Sequence, residues 1–204
     1  MKLILRIIFI PIFYFIFWPF IFFKKYGEKD VDFLDNSLVI ANHYSNLDPF
    51  LLYLLIKKKK RIYFVTNAGV KKHFFTRFFC YFFNCLYVEM DNPIKNIPTL
   101  KKSINVLKNG GVIVIFPEGV IRPSKNGFFE FNSGFIYLAR KANSKVYPLF
   151  IYPEVSIFKR SKIYINNYID INDLKDKDDI EAAMFLQSIV MDSSFKLEKE
   201  IEYK

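Results

Sequence analysis

Short apolar runs alternate with stretches of helical periodicity along most of this chain, and that alternation limits the folds open to it. Leu38 to Ala41, Ile62 to Thr66 and Val112 to Phe116 have the composition of buried strands, and helical patterns lie between them. Alternating strands and helices are typical of an α/β domain with a largely parallel sheet. In such a sheet the functional loops gather at the carboxyl ends of the strands.

The same patterns predict the remaining elements of the domain. Further strands are expected at Cys85–Glu89, Val146–Ile151 and Lys162–Ile169. Helices are expected at Pro49–Ile56, Val70–Phe83, Pro98–Lys108 and Phe131–Ala142, and from about Ile180 onward. A chain of 204 residues is long enough for one domain with a substantial core.

The first part of the chain contains a long uncharged segment. From Ile7 to Phe23 no residue carries a charge, and basic residues flank both ends. The segment is close to the lower limit for a helix that crosses a bilayer, which needs about 20 apolar residues. A signal peptide is the alternative, but no small-residue cleavage site follows. The pattern therefore predicts a membrane anchor at residues 1–27 and a folded domain at residues 28–204.

Basic residues outnumber acidic ones, with 30 Lys and Arg against 20 Asp and Glu. Most of the excess lies in the first 77 residues, which include the run Lys57 to Arg61. A basic, Phe-rich front part favours an anionic membrane surface at the cytoplasmic face. Basic residues interleaved with aromatics between Lys57 and Arg77 are also found in nucleic-acid binders, but the uncharged first segment argues against that partner.

The chain contains only two cysteines and two histidines, and their spacing fits no zinc site. No metal site is predicted, and the low cysteine content indicates a reducing compartment.

A His and an Asp flank the loop that follows the first predicted strand. His43 comes just after Ala41 and Asn42, and Asp48 precedes Pro49 at the start of a predicted helix. An Asp that accepts a hydrogen bond from one imidazole nitrogen leaves the other free to take a proton from a hydroxyl, as a general base. Asp before Pro is also a common N-cap pattern, so this stretch alone leaves both interpretations open.

A second polar group follows the strand Val112 to Phe116. Pro117, Glu118 and Gly119 come directly after it, and Arg122 follows three residues later. A carboxylate beside a guanidinium at a strand end can bind a polyol and its phosphate. A tight turn with a surface ion pair is the alternative.

The two stretches together resemble the glycerolipid acyltransferases, specifically the 1-acyl-glycerol-3-phosphate acyltransferase (PlsC-like) family. The resemblance rests on His43-x4-Asp48 with Asn42 and Pro49 beside it, and on Phe116-Pro117-Glu118-Gly119 about seventy residues later. Two further blocks, residues 131–139 and 146–149, are similar to later segments of that family. The match covers roughly residues 36–155, in order.

This resemblance implies a mixed, largely parallel sheet flanked by helices, with an N-terminal hydrophobic helical anchor. It implies an O-acyltransferase that moves a fatty acyl group from acyl-CoA or acyl carrier protein, as substrates, to lysophosphatidic acid. His43 would be the general base and Asp48 its orienting partner, with no further cofactor. The expected substrate-binding residues are Asn42, Lys71, Lys72, Glu118, Gly119 and Arg122.

The sequence departs from that family's usual pattern at two places. Val120 and Ile121 follow Gly119 where the family usually has Thr and then Arg, so Arg122 is displaced by one position. The strand ending in Glu89-Met90 also lacks the usual Arg. Another lysolipid or an acylated amino acid therefore stays open as acceptor, as does a non-catalytic lipid-binding role.

Overall fold

The computed structural model describes residues 23–28, 31–56, 61–72, 80, 83–89, 92–121, 129–153 and 161–202. Most of the predicted anchor, the run Lys57–Lys60 and most of the predicted helix Val70–Phe83 lie outside these residues. The ends of that helix are described: Val70 belongs to the 3-10 turn Ala68–Lys72, and Phe83 lies in a turn.

The described strands form one mixed sheet. They are β1 (Phe23–Gly27), β2 (Ser37–Ala41), β3 (Ile62–Asn67), β4 (Cys85–Val88), β5 (Val112–Ile115), β6 (Lys145–Ile151), β7 (Ser161–Ile165) and β8 (Ile169–Asp170). The order across the sheet is β1-β7-β6-β2-β5-β3-β4, with β8 paired to β6. Pairing is parallel except where β6 meets β7 and β8. The predicted α/β class with a mixed, largely parallel sheet is confirmed.

Helices cover both faces of the sheet. They are α1 (Asp48–Ile56), α2 (Ile97–Lys108), α3 (Gly134–Ala142) and α4 (Asp179–Glu202). The central strand β2 is buried along its whole length, and its side chains alternate between the two faces. Leu38 and Ile40 join the core under α2, α3 and α4, while Val39 and Ala41 join the core under α1.

Strand β1 was not among the predicted strands. Its sequence Phe-Lys-Lys-Tyr-Gly does not alternate in polarity, and within it only Tyr26 is buried. It pairs in parallel with β7, and Glu28 N–H continues the pairing by donating to Ile165 O at 3.0 Å. Residues 23–27 therefore extend the sheet, whereas the division into an anchor at 1–27 and a domain at 28–204 stays a prediction.

Two other predicted elements differ from the structure by three or more residues at one end. The helix expected from Phe131 begins at Gly134, because the chain first forms a turn in which Asn132 accepts from Gly134 N–H. The strand expected to continue to Ile169 ends at Ile165. Beyond it the backbone N–H and the side-chain amide of Asn166 both donate to Pro148 O, and the side-chain amide also donates to Ser193 Oγ.

Candidate active site

The sheet places the two predicted polar stretches side by side. Strands β2 and β5 are parallel neighbours, with Ile40 opposite Ile115. Their carboxyl ends therefore open at the same edge, and the loop after β2 faces the turn after β5. Residues 42–47 and 116–120 meet there, although about seventy residues separate them in the sequence.

The loop after β2 brings His43 onto Asp48. His43 Nδ1 lies 2.9 Å from Asp48 Oδ2. The same oxygen accepts from the backbone N–H of Tyr44 at 2.7 Å and of Ser45 at 2.8 Å. Because this oxygen acts as acceptor for the two amides, the matching role for Nδ1 is donor, which leaves Nε2 with its lone pair.

Asp48 is fully buried, and its carboxylate bonds backbone groups of the preceding loop and none of the helix. Its other oxygen, Oδ1, has no hydrogen-bond partner within the described part of the chain. The first turn of α1 closes instead through the backbone, with Leu51 N–H donating to Leu47 O at 3.0 Å. The N-cap interpretation of Asp48 is therefore wrong: its carboxylate turns back towards His43.

The imidazole of His43 is held from a second side. Its ring stacks on Phe116, with centroids 4.1 Å apart and planes inclined by 17°. Only 14% of the His43 side chain is exposed. A ring fixed by an Asp on one nitrogen and by an aromatic face can present its other nitrogen in one direction, which is the arrangement a general base needs. Sequence reasoning missed the role of Phe116, although it directly precedes the Pro-Glu-Gly turn.

Glu118 lies under the loop that carries His43. Its Oε1 accepts from His43 N–H at 3.3 Å and its Oε2 from Phe129 N–H at 3.4 Å, and the residue is 8% exposed. Gly119 has φ +72°, a conformation that disfavours other residues, and its N–H donates to Phe116 O. Glu118 thus connects the loop of His43 to Phe129. Its predicted contact with a substrate stays a prediction.

Asn42 joins the same end of the sheet to its neighbour. Its amide nitrogen donates to Ile151 O at 2.8 Å, and its amide oxygen accepts from Ile151 N–H at 2.7 Å. The residue is fully buried. These bonds give Asn42 a structural role between the ends of β2 and β6. Its predicted substrate contact stays a prediction.

A cavity of about 540 Å³ opens beside His43. It extends under α1 and past the ends of β3, β4 and β5, and its lining is largely apolar, including Leu47, Phe50, Phe64, Phe83, Phe116 and Val120. The ring of Phe83 makes edge contacts with Phe50, Tyr53 and Phe64, at centroid distances of 6.3, 5.1 and 5.6 Å. A fixed base at the wall of an apolar cavity can act on a hydroxyl of an amphipathic molecule whose chain lies inside.

The structure does not describe the side chains of the cationic residues that were predicted to bind the substrate. Arg122 lies outside the described residues. Lys71 and Lys72 end the 3-10 turn Ala68–Lys72 and directly follow the cavity residue Val70, and only their backbone is described. Among the described residues no group of three or more His, Cys, Asp or Glu is arranged to hold a metal ion.

The helices of the described residues are short or carry many charges relative to a membrane span. None of them, over residues 23–202 with the gaps given above, is long and apolar enough to cross a bilayer.

Comparisons with known proteins agree with the predicted family. The family model described as Acyltransferase matches residues 23–152. A probable 1-acyl-sn-glycerol-3-phosphate acyltransferase of Mycoplasma pneumoniae is 26% identical over 117 residues, which are 56% of this chain and 43% of that protein. One from Mycoplasma genitalium is 24% identical over 161 residues, 78% of this chain and 58% of that protein. The chain thus spans about half the length of these curated relatives.

A solved structure has the same fold. It is that of the 1-acyl-sn-glycerophosphate (LPA) acyltransferase PlsC from Thermotoga maritima, with a TM-score of 0.66 and 20% identity. The alignment covers 89% of this chain and 74% of that one. Since the family model also spans more than half of the sequence, this chain belongs to the acyltransferase family.

Proposed function

We propose that this protein transfers a fatty acyl group from an acyl thioester to the free hydroxyl of a lysophospholipid, with 1-acyl-glycerol-3-phosphate as acceptor and phosphatidic acid as product. The observation that carries the proposal is the 2.9 Å contact between His43 Nδ1 and Asp48 Oδ2 at the wall of an apolar cavity. The names of the two mycoplasmal relatives support the choice of acceptor.

His43 acts as the general base in this mechanism. Its Nε2 takes the proton of the acceptor hydroxyl while the hydroxyl oxygen attacks the thioester carbonyl. Asp48, which accepts from Nδ1, stabilises the imidazolium that forms. The tetrahedral intermediate then collapses, the C–S bond breaks, and Nε2 returns the proton to the departing sulfur. A positioned base of this kind contributes roughly 10²–10⁴-fold to the rate.

The cavity supplies the second part of the proposal. Its apolar lining suits an acyl chain, and burying such a chain aligns the reacting carbonyl or hydroxyl with His43. The acyl donor is acyl-CoA or acyl carrier protein. Lys71, Lys72 and Arg122 are the cationic candidates for the acceptor phosphate, because an oxyanion pairs well with ammonium and guanidinium groups.

The proposed place of action is the cytoplasmic face of a membrane. Both the acceptor and the product are lipids, and the uncharged segment from Ile7 to Phe23, with basic residues on either side, supports an anchor there. Flotation of the full chain with anionic vesicles, compared with a chain that starts at Lys24, tests this placement. Equal flotation of the two chains would contradict it.

The decisive experiment is acyl transfer by the purified full chain in detergent or vesicles. It measures radiolabelled acyl transfer from acyl-CoA and from acyl carrier protein to lysophosphatidic acid. We expect transfer by the wild type and a loss of about 10²–10⁴-fold in His43→Ala. Melting curves establish that the variant is folded. Transfer that survives in a folded His43→Ala protein would overturn the mechanism.

A matched pair of substitutions tests the role of Asp48. Asp48→Asn removes the charge beside His43, while Asp176→Asn removes an exposed charge far along the chain. Only the first should lower the transfer rate. Equal rates in the two variants would show that Asp48 does not support the base.

A second candidate has one observation in its favour. Val120 and Ile121 are 53% and 40% exposed and line the cavity just beyond Gly119. The 1-acyl-glycerol-3-phosphate acyltransferases usually have Thr and Arg at these positions. Apolar side chains at this place offer no donor to a phosphate, which favours another lysolipid or an acylated amino acid as acceptor. Faster transfer to such an acceptor than to lysophosphatidic acid, with the same His43 dependence, would establish it. A protein that binds these lipids but transfers no acyl group would be a lipid-binding module.

A further inference from the structure

The ring of Phe116 lies closer to the imidazole of His43 than two neutral rings usually approach. The centroids are 4.1 Å apart and the planes are inclined by 17°, so the rings are nearly parallel. Two neutral aromatic rings avoid close face-to-face contact, because both faces carry negative charge density, and their centroids commonly lie about 4.5–7 Å apart. A cation, in contrast, is attracted to an aromatic face within about 6 Å of its centroid. The stack therefore suits a positively charged imidazole better than a neutral one.

Phe116 is held in place by contacts that do not involve His43. It directly follows strand β5, and its carbonyl oxygen accepts from Gly119 N–H at 3.0 Å. The next carbonyl oxygen, that of Pro117, accepts from Asn132 N–H at 3.0 Å. His43 belongs to a different segment, the loop after β2. Phe116 thus provides a fixed surface on which the imidazole lies.

The carboxylate on the other side of the imidazole has several donors to serve. Asp48 Oδ2 accepts from Nδ1 of His43 and also from the N–H groups of Tyr44 and Ser45. Its negative charge is therefore shared among three donors, and a second group that favours the imidazolium adds to its effect. Only 14% of the His43 side chain is exposed, so water contributes little to that stabilisation.

The charge of the imidazole changes in the course of the proposed reaction. The ring of His43 is neutral before it takes the proton of the acceptor hydroxyl and positive afterwards. Only an interaction that is stronger in the transition state than in the ground state accelerates a chemical step. The face of Phe116 meets this condition, because it attracts the imidazolium more strongly than the neutral ring.

We propose that Phe116 is a positioning residue that acts through His43, with a ring face that attracts the imidazolium formed during proton transfer and so raises the transfer rate. The inference rests on the proposed function, since the charge arises in catalysis only if His43 is the base. It differs from a mechanical role, in which any apolar side chain of similar size would hold the imidazole equally well. The two roles predict different effects when the charge distribution of the ring is changed and its shape is kept.

Fluorination of the Phe116 ring separates these roles, because fluorine withdraws electron density from the face and changes the ring size little. The full chain is prepared with phenylalanine analogues that carry one, two or three ring fluorines in place of Phe116. Acyl transfer to lysophosphatidic acid is then measured in detergent. We expect kcat to fall with each added fluorine, reaching about 2- to 30-fold below the wild type, while KM changes by less than about twofold. A kcat that stays constant along the series would overturn the proposal.

The matched control places the same analogues at Phe135. This ring is 4% exposed in the closed core of α3, and it packs against Phe131 and not against His43. Fluorination there should leave kcat unchanged. An equal fall of kcat in both series would show that the effect does not come from the contact with His43, and would count against the proposal.

Two ordinary substitutions add a test of rescue. Phe116→Tyr keeps an aromatic face and should retain most of kcat, whereas Phe116→Leu keeps an apolar side chain without such a face and should lose about 2- to 30-fold. Melting curves establish that both variants are folded, and the fluorinated series carries the test if Phe116→Leu is not. Equal kcat values in folded Tyr and Leu variants would contradict the proposal.

A second measurement needs no acyl transfer. Diethyl pyrocarbonate modifies neutral histidine: Nε2 attacks a carbonyl carbon, the C–O bond to the leaving ethyl carbonate breaks, and the ring is positively charged until it loses its other proton. The full chain is treated at about pH 8, above the usual titration range of imidazole, and the modified peptides are followed by mass. We expect modification of His43 to become at least about twofold slower along the fluorinated series. His73 of the same chain serves as internal reference and should react at a constant rate.

The two measurements distinguish failure of this inference from failure of the proposed function. A protein that transfers no acyl group, but whose His43 is modified more slowly as fluorine is added, would retain the attraction between ring face and imidazolium and refute the proposed transfer. Transfer that is lost in His43→Ala but constant along the fluorinated series, with a constant rate of His43 modification, would confirm the base and overturn the role of Phe116.

Discussion

The two faces of the sheet are built differently. On one face α2, α3 and α4 cover the strands with a continuous core whose members include Leu107, Ile136 and Leu186, all fully buried. On the other face α1 covers the sheet only in part, and a cavity of about 540 Å³ remains beyond it. His43 lies at the edge of this cavity. The filled face therefore forms a closed core, while the face with the cavity leaves room for a ligand.

Substitution of Phe135 tests the filled face, and we expect it to lower the free energy of unfolding more than the other substitutions below. Phe135 is 4% exposed in α3 and packs against Phe131, with ring centroids 6.5 Å apart. Removal of the ring by Phe135→Ala should lower the free energy of unfolding by about 3–5 kcal/mol, because a closed core cannot refill the space. Denaturant titration followed by circular dichroism measures this. A loss under about 1 kcal/mol would mean that this face is not tightly packed.

The matched substitution on the other face is Phe83→Ala. Phe83 also packs against aromatic rings, but it borders the cavity on one side. Removal of this ring should therefore lower the free energy of unfolding by less than is expected in a closed core, where the loss is about 3–5 kcal/mol. If the proposed transfer is correct, the enlarged cavity should also change the preferred acyl-chain length, and Phe135→Ala should not. Equal losses of stability in the two variants would remove the distinction between the faces.

The smallest effect is expected at the junction of the two polar stretches. Glu118→Ala leaves the N–H groups of His43 and Phe129 without their acceptor, which should cost about 1–3 kcal/mol and slow the proposed reaction by loosening the loop. Glu118→Gln keeps one acceptor and should lose less of both. Removal of the exposed carboxylate by Glu198→Ala should stay within about 0.5 kcal/mol of the wild type. A Glu118→Ala protein with unchanged stability and rate would show that this brace is dispensable.

The parts predicted well from the sequence are those determined by neighbours in the chain. The strand before His43, the turn at Gly119 and the pairing of His43 with Asp48 all arise within a few residues, so their patterns are readable. The burial of Val39 on one face and Ile40 on the other likewise follows from the period of a strand.

The parts missed depend on contacts between distant segments. Glu118 accepts from His43 N–H across 75 residues, and the buried Tyr26 lies on β1, which pairs with the distant strand β7. No local pattern encodes such contacts.

The hydrogen bonds of Asn42 have a consequence for the order in which the site is assembled. Asn42 and Ile151 are 109 residues apart, yet the side-chain amide of Asn42 bonds both backbone groups of Ile151. During synthesis the side chain of Asn42 cannot make these bonds until the end of β6 has left the ribosome. These hydrogen bonds at the end of β2 therefore form only when most of the domain has been made, and a nascent chain that stops short of β6 carries the loop with His43 without them.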